Sequence, residues 1–113
     1  MANGPIVQSA DALVFIRPFQ EQIAPIIRAI PHFVAIAGRS SLLQAEALDR
    51  LKELEARSRK LHAVYTKFEK AAAALPPAVA AHSRITDFRH SVASTRGLLE
   101  QARFALEQRS KIN

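Results

Sequence analysis

Two runs of apolar residues on either side of a Pro-Pro pair constrain this chain more than any other feature. Ala47, Leu51, Leu54, Ser58, Leu61, Tyr65, Phe68, Ala72 and Leu75 recur at alternating spacings of four and three. Ala81, Ile85, Phe88, Val92, Thr95, Leu99, Ala102, Leu106 and Arg109 repeat the pattern. Such spacing draws a continuous stripe along one face of a helix. Pro76 and Pro77 cannot continue the hydrogen-bond ladder. Pro76 also drives Leu75 out of the helical region, and Pro77 suits the first turn of the next helix. Two helices joined this way lie antiparallel, each roughly 50 Å long at about 1.5 Å per residue.

A third stripe precedes them: Ile16, Phe19, Ile23, Ile26, Ile30, Phe33 and Ala37, with Pro18 and Pro25 off the stripe. An interior proline costs about 3 kcal/mol of helix propensity. A kinked helix, or two shorter ones, is expected here. Burial of the isoleucines and phenylalanines, about 1.5–3 kcal/mol each, holds it in place. Gly38 suits a left-handed closure of this segment, and Ser41 with Gln44 has capping-box spacing for the next. The expected fold is an all-α antiparallel bundle in one domain, residues 1–113. Its helices run near 9–37, 41–75 and 77–109, counted as four if the first one breaks.

Other classes are excluded by what the chain lacks. It has no cysteine, hence no disulfide and no thiolate metal site. Met1 to Pro5 carry no basic leader region. The most apolar stretch, Ala12 to Ala37, is interrupted by Arg17, Pro18, Glu21, Pro25, Arg28 and Pro31, so it is not a membrane span. A soluble chain is expected, with peripheral membrane association open to it. The serines lack a strand-turn-helix elbow, and no glycine-rich phosphate loop exists. His32, His62, His82 and His90 never fall three or four residues apart, so no two share a helical turn as metal ligands. A phosphotransfer histidine is excluded because Pro31 abuts His32 and no Lys-Gly follows it. No enzyme activity, cofactor or metal is expected.

Charge supplies the functional expectation. The net charge is +6, which favours an anionic partner. Residues 57–70 hold Arg57, Arg59, Lys60, Lys67 and Lys70 against Glu69 alone, and residues 82–96 add Arg84, Arg89 and Arg96 against Asp87. Both stretches adjoin the Pro-Pro turn. The chain reads as a non-catalytic helical interaction module whose basic end docks on an anionic surface, foremost membrane phospholipid headgroups. Arg59, Lys60, Lys67, Lys70, Arg84 and Arg89 are the candidate anion and lipid contacts. Leu75, Pro76, Pro77 and Val79 would add a shallow apolar contact at the turn. One alternative is a protein-protein adaptor or self-assembling subunit with Leu43, Leu48 and Phe104 at its interface. Another is nonspecific nucleic-acid binding through backbone phosphates; a single tyrosine and no tryptophan leave little for base stacking.

A tight turn also predicts which residues face each other: Ser58 with Thr95 as a hydrogen-bonded core pair, Glu55 with Arg96, and Glu69 with His82. The first segment should pack on the flank carrying Val64, Ala71, Leu98 and Ala105. The ladder of His82, Arg89, Arg96 and Arg103 is left facing water.

Overall fold

The computed structural model describes residues 5–39 and 41–111, with side chains from residue 10 onward. The first four residues, read above for a leader, lie outside the described residues. The fold is an all-α bundle of α1 (Pro5–Ala37), α2 (Gln44–Ala72), α3 (Pro77–Ala80) and α4 (Ser83–Lys111). All three long helices pack on one another, and α1 also touches α3. Ile16 and Gln20 of α1 lie by Arg84 and Phe88, whereas Val34 and Gly38 lie by Gln101 and Ala105. Hence α1 and α4 run parallel and α2 runs against both. The rod they form extends 67 × 20 × 16 Å.

Of the two forms expected for the first segment, one helix or two shorter ones, the single helix is observed. α1 is one helix through Pro18, Pro25 and Pro31. All three prolines are exposed, so the carbonyls they leave without an amide partner fall on the outer side of the helix. The inner side carries Ala12, Ile16, Ile23, Ile26, Ile30, Phe33 and Ile36, all buried. The interruption falls instead in the third segment. The short α3 and the turn at Ala81 and His82 separate Pro77 from the start of α4, and His82 caps α4 by accepting the Arg84 N–H at Nδ1, 3.1 Å.

Both expected caps around α2 fail. No described glycine has positive φ, so Gly38 closes α1 in an ordinary conformation, its N–H on the Val34 carbonyl at 3.1 Å. Leu43, not Ser41, is the N-cap of α2, without a side-chain cap bond. Gln44, expected to complete a capping box, donates to the Ser110 carbonyl at the end of α4 instead.

The longer connection also shifts the hairpin register. Phe68 meets Phe88, with ring centroids 4.6 Å apart, and Glu69 meets Arg89 instead of His82. Thr95 is buried but donates to the Ser91 carbonyl of its own helix at 2.8 Å, so the Ser58–Thr95 pair does not form. Arg96 lies over Tyr65 rather than beside Glu55.

α1 packs on the expected flank. Val64 is buried and Arg57 lies over the Phe33 ring, 5.9 Å from its centroid. Leu51, Ser58 and Tyr65 of the α2 stripe, on the edge away from α1, are only half-buried. At the turn-proximal end the core is aromatic. Phe68, 0 % exposed, touches Phe15 at 5.6 Å, Phe19 at 5.4 Å and Phe88 at 4.6 Å. Phe68 therefore joins all three long helices. Phe68→Ala should cost about 3–5 kcal/mol, the range for emptying a buried phenylalanine site. Denaturant unfolding of the two chains measures it, and a loss below about 1 kcal/mol would show that the cluster is not the centre of the core.

Candidate functional site

The six basic residues expected to act together are divided by the fold among three surfaces. Arg59, Lys60, Lys67 and Lys70 stand on the outward side of α2, all exposed. Their spacings of seven, eight and three keep them on one side of the helix. The positions between them that share this side are Ala63 and Thr66, with Ala56, Ala73 and Ala74 at the ends, and all five are exposed as well. Long cationic side chains thus rise from a low floor of small residues. None of the four forms an ion pair among the described residues. α2 can hold this face bare because its own apolar stripe is turned to α1 and α4.

Arg84 lies elsewhere. It lines a cleft of about 410 Å³ between α1 and α4 with Gln20, Asp87 and Ser91. Arg89 is engaged on the opposite flank. Its Nε and Nη2 donate to Glu69 Oε1 at 3.0 and 2.9 Å, and the Tyr65 hydroxyl donates to Glu69 Oε2 at 2.8 Å. The Arg89 guanidinium also lies 5.6 Å from the Phe68 centroid, and that of Arg96 lies 5.7 Å from the Tyr65 centroid. The ladder of arginines is thus largely satisfied within the chain: Arg103 pairs with Glu100 at 3.5 Å and Glu107 at 3.2 Å. The signal for the Tyr65–Glu69–Arg89 network was present in the four-residue spacing of Tyr65 and Glu69. Its third member depended on the register.

The expected apolar tip is also altered. Val79 is buried and belongs to the core cluster, and Leu75 packs against it; Pro76, Pro77 and Ala78 remain exposed. At the opposite end α1 does not cover the proposed interface residues: Leu43 and Phe104 are each 64 % exposed and Leu48 is 43 % exposed. Leu42, beside them in sequence, is half-buried against the core. A second cleft, of about 350 Å³, opens between the end of α1 and the start of α2, lined by His32, Ile36, Arg39, Leu42, Glu46 and Arg50. Arg50 there pairs with Glu53 at 2.9 Å. Among the described residues no three His, Asp or Glu side chains gather as metal ligands, and no helix is long and apolar enough to cross a membrane.

Comparison with known proteins finds no matching family model, no matching curated protein and no matching solved structure.

The Glu69 network gives a direct electrostatic readout. Burial pushes the Glu69 carboxyl up, but the hydrogen bonds from Arg89 and Tyr65 outweigh it and hold the group below its ordinary 4.5. A depressed carboxylate contributes stability above its unfolded pKa, and this is lost as pH falls through the folded value. The network should therefore weaken only below the usual carboxylate range. The Tyr65 hydroxyl is raised above its ordinary 10.0, first by its hydrogen bond to Glu69 and then by burial. Tyr65 is the sole tyrosine and the chain has no tryptophan, so ultraviolet absorbance follows this one group. The titration midpoint should lie above 10.0 and fall back in Glu69→Gln. An unshifted midpoint, equal in both chains, would show that the Tyr65–Glu69 bond does not persist in solution.

Proposed function

We propose that this chain is a non-catalytic interaction module that docks on the anionic headgroup layer of a phospholipid membrane. The contact runs side-on along α2. The supporting observation is the outward face of α2, where Arg59, Lys60, Lys67 and Lys70 are exposed together and form no ion pair among the described residues. From Arg59 to Lys70 the face spans about 16 Å at the helical rise of ~1.5 Å per residue. Cations held near an anionic bilayer contribute about 1 kcal/mol each, so four acting together suffice for reversible attachment. An approach led by the Pro-Pro turn is less favoured, because Val79 is buried there and Arg84 faces another side.

A second reading, a protein-binding adaptor or self-assembling subunit, rests on the exposure of Leu43, Leu48 and Phe104. Contiguous exposed apolar surface is the usual mark of an interface. Nonspecific nucleic-acid binding would draw on the same α2 cations and is separated by competition.

Co-sedimentation with vesicles tests the first reading. Binding to anionic vesicles and not to neutral ones is expected, weakening as salt screens the contact. Lys67→Glu/Lys70→Glu should abolish it, whereas Arg84→Glu should reduce it far less. Duplex DNA should compete poorly. Equal loss from the α2 and Arg84 variants would remove α2 as the docking face. Strong competition by DNA would move the assignment to nucleic acid. If neither surface is bound while Phe104→Glu abolishes capture of a protein partner, the adaptor reading stands instead.

A further inference from the structure

The seam between α1 and α4, on the side of the rod away from α2, carries a run of uncharged residues after Asp87. On α4 its outward positions after Asp87 are Ser91, Ser94, Leu98, Gln101, Ala105 and Gln108, spaced three and four apart. On α1 the matching side carries Ile27, Pro31 and Val34. Ile27 lines the cleft that holds Ser91, and Val34 lines the one that holds Gln101 and Ala105. This sets Leu98 between Ile27 and Val34 in height. All three are exposed, at 38 % for Ile27, 53 % for Val34 and 45 % for Leu98. They form an apolar centre flanked along the seam by small and amide side chains, in a chain whose net charge is +6. A surface that excludes charge over this length avoids the repulsion two such chains would otherwise meet.

The charges that close the seam are self-complementary. Asp87 stands eleven residues before Leu98 and Arg109 eleven after it, while Ser91 and Ala105 stand seven before and seven after. Neither Asp87 nor Arg109 forms an ion pair among the described residues. Two copies of α4 packed antiparallel about a two-fold axis at Leu98 bring Leu98 to Leu98 and Ser91 to Ala105. Each Asp87 is then level with Arg109 of the other copy, about 16 Å from the axis. Small residues opposite one another permit close approach of the two helices. A parallel arrangement offers no such match.

We propose that the α1–α4 seam is the isologous interface of an antiparallel homodimer, with Leu98 on the two-fold axis and Asp87 paired with Arg109 across it. This goes beyond the docking reading and does not rest on it, because the cations of α2 lie on the far side of the rod and stay free in the dimer.

The chain has no cysteine, so single cysteines introduced into the full chain report the geometry without background. Leu98→Cys should form a disulfide-linked dimer under mild oxidation. Ser91→Cys should not, since its two copies lie about 21 Å apart along the axis, whereas a mixture of Ser91→Cys and Ala105→Cys chains should cross-link to each other. Sedimentation equilibrium should find the unmodified chain at twice its monomer mass of 12.5 kDa. Asp87→Lys and Arg109→Glu should each weaken the dimer at least tenfold, and the double exchange should recover most of that loss. Circular dichroism separates dissociation from unfolding in each variant. A monomer throughout the micromolar range overturns the proposal. So does a dimer that Phe104→Glu dissociates while Leu98→Cys stays uncross-linked, and equal cross-linking of Ser91→Cys and Leu98→Cys overturns the antiparallel register. Vesicle binding by α2 is measured separately, and its failure leaves each of these outcomes unchanged.

Discussion

The packing of Phe68 is the contact on which the rest depends. It sits 0 % exposed between Phe15 and Phe19 of α1 and Phe88 of α4. Because one side chain from α2 touches rings on both other helices, it fixes their relative height. The Phe68–Phe88 contact sets the hairpin register, and the register brings Arg89 rather than His82 to Glu69. The Arg89 guanidinium lies over the same ring, 5.6 Å from its centroid. The aromatic core and the surface ion network are therefore one construction: a shift of α4 by one turn would separate Glu69 from Arg89 and open the buried face of Phe68 together.

α1 makes the hairpin asymmetric. By covering one flank it buries Val64 and leaves Tyr65 half-exposed, so the α2 stripe is rotated toward α1. This rotation leaves Tyr65 half-buried at the edge of the core, where its hydroxyl donates to Glu69 at 2.8 Å. It also turns the four cations of α2 squarely outward. The three prolines of α1 are compatible with this because all of them face solvent. There, the carbonyls that lose their amide partner lie on the solvent side, and the isoleucines of the inner face keep the helix attached to the hairpin.

Charge that is segregated along the sequence becomes segregated around the axis. Residues 57–70 and 84–89 both adjoin the turn, yet α2 turns its cations to one side, Arg84 borders the α1–α4 seam, and Arg89 is bound to Glu69. The cations that adjoin the turn in sequence are thus divided around the axis rather than gathered at one end. The uncharged seam lies across the rod from the α2 cations.

The sequence by itself determined the helices and their inner faces. The four-three spacing marked Leu54, Leu61, Phe68, Ile85, Val92, Leu99 and Leu106, all buried, because periodicity is a local property of each helix. It also placed α1 on the Val64 flank, since that flank is the more apolar. It named Leu43, Leu48 and Phe104 as interface candidates, and the structure leaves all three exposed. The tertiary structure alone decided the register, the caps and the grouping of charges. Pro76 and Pro77 announce a turn, but the added length of α3 before α4 decided that Glu69 meets Arg89, that His82 becomes a cap and that Thr95 bonds its own helix. Spacing already put the four α2 cations on one side of their helix, but which way that side faces, and its separation from Arg84 and Arg89, depended on how α2 and α4 rotate about their axes, a rotation set by long-range packing against α1. Spacing along the chain carries no record of it.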